Sequence, residues 1–400
     1  MSLGSGKILP RRQAVPVLYT RGTHYEVGFD MGRTFGSMIK NFLVLSSPLN
    51  DSYLPLYGTP QGKQVYNETL ESVKRSFPQY VRELEGVADG AEVEFHKLFL
   101  LHLDEILPQA LKHQSGSKEK TACKVTNCKK QPTGCSSIIV NHENCRLLGH
   151  TEDALTETLN HYYFVVAHII SDKPQGKYNV KEERFMSLCY AGHLPGYTMS
   201  YNHHGLVFSI NTISAEHLVS GKTPRHFVTR ALLSAENVDA AFRVLKDCGV
   251  GAADACSINF TLLSDPKQMF YNVEMAPSVE GKDESQLNIK EIPIGGHNYH
   301  TNQFDRIEAE QANADMVESS VSRMKTFNNH HEPKDAKDVC AMLGDVSGGY
   351  HCVYRENGRC DELVKTISIG IFDLNAKTIS LYSDNPHLTQ AHCTLPLILK

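Results

Sequence analysis

Residues 131–153 read QPTGCSSIIVNHENCRLLGHTED, and they divide the chain. Before them the pattern is helical, and after them it is mostly that of strands. Within the stretch, CSSIIV (135–140) and CRLLGH (145–150) are apolar runs joined by NHEN (141–144), which predicts a β-hairpin. The first strand is entered at Cys135 through Gly134, after a long polar approach. Either Gly134 is a loop residue, or the chain is cut there and Cys135 becomes a new amino terminus.

Upstream, Tyr66, Leu70, Val73, Phe77, Tyr80, Leu84 and Val87 recur at spacings of four and three, one apolar helical face. Pro78 predicts a break in it, with Ser76 capping the second helix. EFHKLFLLHLDEIL (94–107) predicts a further helix, too apolar for the surface. Residues 112–133 hold six lysines against one glutamate and little that is large and apolar, the pattern of an exposed, mobile loop.

Downstream, HYYFVVAHII (161–170) and GLVFSIN (205–211) read as strands. CSINFTLL with QMFYNVEM (256–275) and TISIGIF with KTISLYS (366–383) read as hairpins. PRHFVTRALLSAENVDAAFRVLKDCG (224–249) predicts two helices, the second capped by Ser234 and stopped by Gly249. Hairpins with two helical groups predict an α+β fold of antiparallel sheets covered by helices, rather than alternating parallel units.

With 41% hydrophobic and 21% charged residues over 400 positions, the composition is that of a globular protein. A net charge of −5 without a concentrated basic face argues against a nucleic-acid partner. The first sixteen residues lack the apolar core of a signal peptide, and no apolar run is long enough to span a bilayer. The expectation is a cytoplasmic protein without membrane contact, its eleven cysteines free thiols.

The Gly134–Cys135 bond can carry chemistry. A thiol can attack the carbonyl of the residue before it and turn the amide into a thioester, which water cleaves. Glycine leaves the attacked carbonyl sterically open. The product is a cysteine with a free α-amine of reference pKa roughly 7.7–8.0, so one residue is both nucleophile and general base. Asp153, just past the partner strand, is placed to hold that amine by a charge-assisted hydrogen bond. Asn211 and Asn302, each near a strand end, are candidate amide donors to an oxyanion. Arg355 is a candidate to orient a carbonyl or carboxylate. Each has a plainer reading: an inert buried thiol, a cap or turn residue, a surface arginine. The rival is a metal site from Cys123, Cys128, Cys135 and Cys145 with His142 and His150. Their C-x4-C-x6-C-x9-C spacing fits no zinc pattern, and neither metal nor organic cofactor is expected.

TRGTHYEVGFDMGRTF (20–35), FPQYVRELEGVADGAEV (77–93), GCSSIIV with LLGHTEDAL, NHHGLVFSINT (202–212), HTNQF (300–304) and HCVYR (351–355) occur in the order found in the isopenicillin N acyltransferase family. The resemblance covers nearly the whole chain apart from the first dozen residues and the lysine-rich loop. It implies one amino-terminal-nucleophile (Ntn) hydrolase domain over 1–400, a four-layer α/β/β/α sandwich with two antiparallel sheets. It further implies autocleavage between Gly134 and Cys135 into an α chain (1–134) and a β chain (135–400) that remain associated. The family's nucleophile falls on Cys135, its acidic partner on Asp153, its oxyanion asparagine on Asn302 and its arginine on Arg355; Asn211 is carried over from the wider group. Cys352 stands where the family pattern has serine. Residues 171–205 are similar to the arthropod branch that hydrolyses β-alanyl amides, which implies N-β-alanyldopamine and carcinine as small-molecule substrates. Glu152 or Asp153 would receive the β-alanyl ammonium, and Tyr190 and Tyr197 are candidates to stack on the ring. The alternatives are an acyltransferase of the same fold and an uncut, metal-binding or non-catalytic protein.

Overall fold

A computed structural model of the chain describes residues 11–12, 14–114, 134–279, 281–356 and 364–397. The expected lysine-rich loop therefore lies almost wholly outside the described residues. Strand β1 (Val17–Gly22) leads into six helices: α1 (His24–Leu45), α2 (Leu54–Tyr57), α3 (Pro60–Ser76), α4 (Pro78–Ala91), α5 (Phe95–Leu101) and α6 (Ile106–Gln114). The hairpin follows as β2 (Gly134–His142) and β3 (Cys145–Leu155), turning on Glu143 and Asn144. Next come β4 (Tyr162–Ile170), β5 (Glu182–Tyr190), β6 (Ser200–Asn202), β7 (Leu206–Ile213), α7 (Arg225–Leu232), α8 (Val238–Lys246), β8 (Ala255–Leu262) and β9 (Phe270–Ala276). The chain closes with β10 (Gln286–Ile292), β11 (Gly296–His300), α9 (Ala314–Asn329), α10 (Ala336–Leu343), β12 (Val364–Asp373), β13 (Thr378–Tyr382) and β14 (Cys393–Pro396).

Among the described residues the strands form two sheets, ordered β1-β4-β5-β6-β7-β8-β9-β10 and β11-β2-β3-β12-β13-β14. Successive side chains of a strand point to opposite faces, and this alternation sorts three cores. Tyr163 and Val165 of β4 face helices α1 and α4, whereas Phe164 faces the second sheet. Ile139 and Leu148 of the hairpin meet Phe164, Leu188 and Val207 between the sheets. Ile138, Val140 and Leu147 point the other way, against Phe327 of α9 and Val339 and Leu343 of α10. Three cores make four layers, helix on sheet on sheet on helix, the expected α+β architecture. Burial on both faces is why β2 and β4 read as continuous apolar runs.

Several local expectations are corrected. One strand pair is parallel, β1 with β4. Among the described residues, six α-helices and the β2–β3 hairpin intervene between the two, the kind of long crossover that parallel strands need. The break at Pro78 is present, but Ser76 is the last residue of α3 and α4 begins without a side-chain cap. α8 is capped by Asn237, not Ser234, and ends on a left-handed Asp247 before Gly249 is reached. The helix expected over 94–107 is interrupted, because Asp104 and Glu105 turn to the buried Arg225 at 2.6 and 2.8 Å.

Helices α1 and α4 cross at near backbone contact. A Cβ added at Gly28 would lie 2.0 Å from the Glu83 carbonyl oxygen, and one at Gly86 would lie 2.2 Å from that of Tyr25. This crossing places Glu83 against Arg230 of α7 at 2.7 Å, and Arg230 reaches Glu183 of β5 at the same distance. Residues from both sides of position 134 thus share one core and one buried ion-pair group. Among the described residues, no helix is long and apolar enough to cross a membrane.

Candidate active site

Antiparallel pairing sets the site. Gly134 lies opposite Asp153 and Cys135 opposite Glu152, at the end of the hairpin away from its turn. Strand β11 flanks β2 and pairs His300 with Ser137, which brings Asn302, two residues beyond, back to the start of β2. The Cys135 backbone N–H donates to Asn302 Oδ1 at 2.8 Å, and Asn302 Nδ2 donates to the Thr212 carbonyl at 2.8 Å. Gly134 is required by this approach: a Cβ there would lie 2.6 Å from Asn302 Oδ1.

Cys135 is 6% exposed, and its Sγ lies 4.0 Å from Glu152 Oε2. Burial pushes the thiol well above its usual range, and the Glu152 and Asp153 carboxylates push the same way against the Asp153 N–H and the Arg323 charge. Glu152 is itself held on both oxygens, by His150 Nε2 at 3.1 Å and by the Tyr190 hydroxyl. Asp153 takes a 2.6 Å hydrogen bond from Thr366 on Oδ1, while its buried Oδ2 has no hydrogen-bond partner among the described residues. Burial raises the Asp153 carboxyl, and the guanidinium groups of Arg355 and Arg323 pull it back.

Of the other expected residues, Arg355 reaches this group through the field it exerts on Asp153 and through a hydrogen bond from Nη2 to Ser319 Oγ. Asn211 lies inside β7 and one contact further off. Its Oδ1 accepts from Ser137 Oγ and Asn259 Nδ2, each at 2.8 Å. Tyr190 is brought in by Glu152. Tyr197 is set back, its hydroxyl 2.6 Å from Thr212 Oγ1 and its ring 3.9 Å from that of His226.

Arg323 was not singled out from the sequence. It is fully buried in α9 and donates to the Cys135 carbonyl at 2.6 Å, to Ser136 Oγ at 3.0 Å and to Asn302 Oδ1 at 2.8 Å. Burial, with the Arg355 charge beside it, draws its guanidinium down to about 10. The available signal is Ser319 and Ser320 one turn earlier, small residues that leave room for an inward arginine. His150, considered only as a metal ligand, instead bridges Glu152 and Ser137 Oγ.

Among the described residues, the members of the rival metal grouping do not converge as a set. Cys123 and Cys128 lie outside the described residues, Cys145 sits at the turn end of the hairpin, and His142 pairs with Glu332 at 3.5 Å. Cys135, His150 and Glu152 do converge, with one atom of each within 4.8 Å of the others. Both His150 nitrogens have hydrogen-bond partners, an arrangement suited to proton handling. Two surface hollows lie elsewhere, one beside Tyr19 and Arg184 and one beside Tyr178 and Phe242.

Comparison with known proteins adds to this geometry. Residues 140–388 match the family described as acyl-coenzyme A:6-aminopenicillanic acid acyl-transferase, a match that begins five positions after Cys135. The chain is 77% identical over 398 residues to a beta-alanyl-dopamine/carcinine hydrolase of Drosophila melanogaster, covering 100% of both. A solved structure of a mutant conjugated bile acid hydrolase from Clostridium perfringens aligns with 62% of this chain and 89% of its own, at 11% identity and a TM-score of 0.37.

Proposed function

Because the chain belongs to the acyl-coenzyme A:6-aminopenicillanic acid acyl-transferase family, we propose that it is a self-processing amide hydrolase of β-alanyl amides, with β-alanyl-dopamine and carcinine as substrates and Cys135 as nucleophile. The observation that carries this reading is the convergence of Glu152, Asp153, Asn302 and Arg323 on the single Gly134–Cys135 junction. Cleavage there turns the Cys135 amide into an α-amine next to Asp153. The unpartnered Oδ2 of Asp153 then gains that amine as a hydrogen-bond donor and stabilises the ammonium it becomes on taking the thiol proton, while Arg355 and Arg323 keep the carboxylate oriented.

In turnover the Cys135 thiol loses its proton to its own α-amine and attacks the substrate carbonyl. Asn302 has one amide hydrogen on the Thr212 carbonyl, and its second is the donor we assign to the oxyanion. Asn211 holds Ser137, two residues beyond Cys135 on the same strand. The α-ammonium protonates the departing amine, and water hydrolyses the β-alanyl thioester. Three single bonds separate the β-alanyl nitrogen from the scissile carbonyl carbon, a span on the order of 4 Å. Glu152 Oε2, 4.0 Å from Sγ, lies at the matching range for that ammonium, and Tyr190, bonded to the same carboxylate, is the nearer candidate for the ring, with Tyr197 set back behind Thr212. No cofactor enters this cycle. The two chains stay together through the β1–β4 pairing and the shared core, as a cytoplasmic enzyme.

The family's description favours a second reading, transfer of the acyl group to another amine from the same thioester. The relative named as a hydrolase, at 77% identity, favours water. The test is the intact mass of fresh protein, with carcinine turnover measured on the same sample. Two polypeptides split before Cys135, releasing histamine, are expected. A single uncut chain that turns over would overturn the reading, and preferential capture of the β-alanyl group by an added amine would favour transfer.

A further inference from the structure

The α-amine that serves turnover does not exist before cleavage. In the uncut chain the Cys135 nitrogen is an amide whose N–H is donated to Asn302 Oδ1 at 2.8 Å. It has no basic lone pair, so another group must take the thiol proton for the first acyl shift. We propose that Glu152 is that base: its carboxylate starts self-cleavage at Cys135 and later serves as the substrate's ammonium site. This inference rests on the self-processing reading above.

The geometry separates Glu152 from its neighbour. Cross-strand pairing puts Glu152 opposite Cys135, with Oε2 4.0 Å from Sγ. Asp153 lies opposite Gly134, its Oδ1 occupied by Thr366 and its charge shared with Arg355 and Arg323. Asp153 is thus placed for the amine that cleavage creates, and Glu152 for the thiol that begins it. His150 Nε2, 3.1 Å from Glu152 Oε1, and the Tyr190 hydroxyl on Oε2 hold the carboxylate in place. The imidazole gives the transferred proton a second resting place.

The step balances. The Cys135 S–H proton passes to Glu152 as the sulfur electron pair forms a bond to the Gly134 carbonyl carbon. The C–N bond then breaks, and its nitrogen takes the proton back from Glu152. The result is a Gly134–Cys135 thioester and a free amine. Water hydrolyses the thioester, leaving a Gly134 carboxylate and the regenerated thiol. Arg323, donating to the Cys135 carbonyl at 2.6 Å, fixes the far side of the nucleophile's backbone during this exchange.

The test follows the full-length chain by intact mass from the moment of synthesis, with and without hydroxylamine, a small nucleophile that cuts a thioester. Wild type, Glu152→Gln, Glu152→Asp and Asp153→Asn are compared, with thermal melting of each. Glu152→Gln should accumulate uncut chain, cleaving on the order of 100-fold or more slowly, the scale of a lost general base. Hydroxylamine should not rescue it, because the thioester does not form. Glu152→Asp should recover part of the rate, and Asp153→Asn should still yield hydroxylamine-sensitive chain. Cleavage of Glu152→Gln at the wild-type rate, or its rapid cutting by hydroxylamine, would overturn the role of Glu152 and leave self-processing standing. A wild-type chain that never splits would overturn self-processing, and this role with it.

Discussion

The amide N–H of Cys135 and the Oδ1 of Asn302 meet at 2.8 Å across 167 positions of sequence. The same oxygen accepts from Arg323 Nη2 at 2.8 Å, while the Asn302 amide nitrogen reaches the Thr212 carbonyl. One side chain therefore ties the start of β2, the end of β7 and helix α9 together.

Two substitutions at Asn302 separate its oxygen from its nitrogen. Asn302→Ala strands the Cys135 N–H, at about 1–3 kcal/mol for a group left unsatisfied, and leaves Arg323 Nη2 only its 3.4 Å bond to Ser320 Oγ, so it should lower the melting temperature clearly. Asn302→Asp keeps an acceptor facing Arg323 and should melt closer to wild type. Both lose the amide donor, so both should lose roughly 100- to 1,000-fold in kcat. An Asn302→Asp enzyme with wild-type kcat would remove Asn302 from oxyanion binding.

At the nucleophile, Cys135→Ala has no group to form a thioester and should show neither cleavage nor turnover. Cys135→Ser retains a hydroxyl able to carry out the same shift more slowly, so part of that chain should split over time. Mass spectrometry reads both. Efficient splitting of Cys135→Ala would assign the cut to a separate protease.

Arg323 offers a test of shape rather than charge. Its guanidinium spans the Cys135 carbonyl, Ser136 Oγ and Asn302 Oδ1 at once, which an ammonium on a flexible stem does not reproduce. Arg323→Lys keeps the positive charge beside Asp153, yet should slow processing and turnover together and destabilise the fold. Arg323→Lys with wild-type cleavage and melting would show that only the charge matters there.

These residues mark where the sequence is legible. The hairpin from Gly134 to Leu155 can be read because alternate side chains enter two different cores, leaving a continuous apolar run around a two-residue turn. Asp153 can be read because it closely follows the apolar run of the partner strand, although β3 continues to Leu155 and holds Asp153 inside it, opposite Gly134. Arg323 is harder to read, since a long cationic side chain on a helix looks alike whether it points to water or inward; Ser319 and Ser320 beside it are a weak cue, and its partners at the junction, Cys135, Ser136 and Asn302, are more than 20 positions away. The parallel β1–β4 pair is equally hidden: the strands lie some 140 positions apart and nothing in either records its neighbour. Ser234 and Asn237 are both acceptable caps locally, and tertiary packing decides which of them begins α8.

The loop that carries Asn302 should have its own pH signature. Glu274 accepts the backbone N–H groups of Asp305, Arg306 and Ile307 and faces His300 Nε2 at 3.2 Å. Burial would raise its pKa, but these hydrogen bonds and the nearby Arg306 charge lower it from 4.5 to about 2. A carboxyl depressed in the fold stabilises above its unfolded pKa, and that contribution fades as pH falls from about 4.5 toward 2. The full effect is on the order of 3 kcal/mol. Glu274→Gln should therefore melt well below wild type at pH 6, with the gap narrowing toward pH 3. A gap that stays constant over that range would show that the ionised form is not what pins the loop.

Substrate choice tests the acyl side of the site. N-acetyldopamine has the same ring and the same kind of amide as β-alanyl-dopamine but lacks the ammonium. If Glu152 is the ammonium's partner, the missing charge leaves a buried carboxylate short of its ion pair, at a cost on the order of 3–5 kcal/mol. By transition-state arithmetic that is roughly a hundred- to several-thousand-fold in kcat/KM. Exchanging the catechol for an imidazole keeps the ammonium and alters only the ring contacts, worth about 0.5–1.5 kcal/mol beyond area burial, or roughly two- to tenfold. The kcat/KM of β-alanyl-dopamine and carcinine should thus fall within about tenfold of each other, with N-acetyldopamine far behind. Glu152→Gln shares the processing defect, so the comparison is made on wild-type enzyme across the three substrates. Equal values for N-acetyldopamine and β-alanyl-dopamine would show that the pocket reads the ring, and would remove Glu152 from substrate recognition.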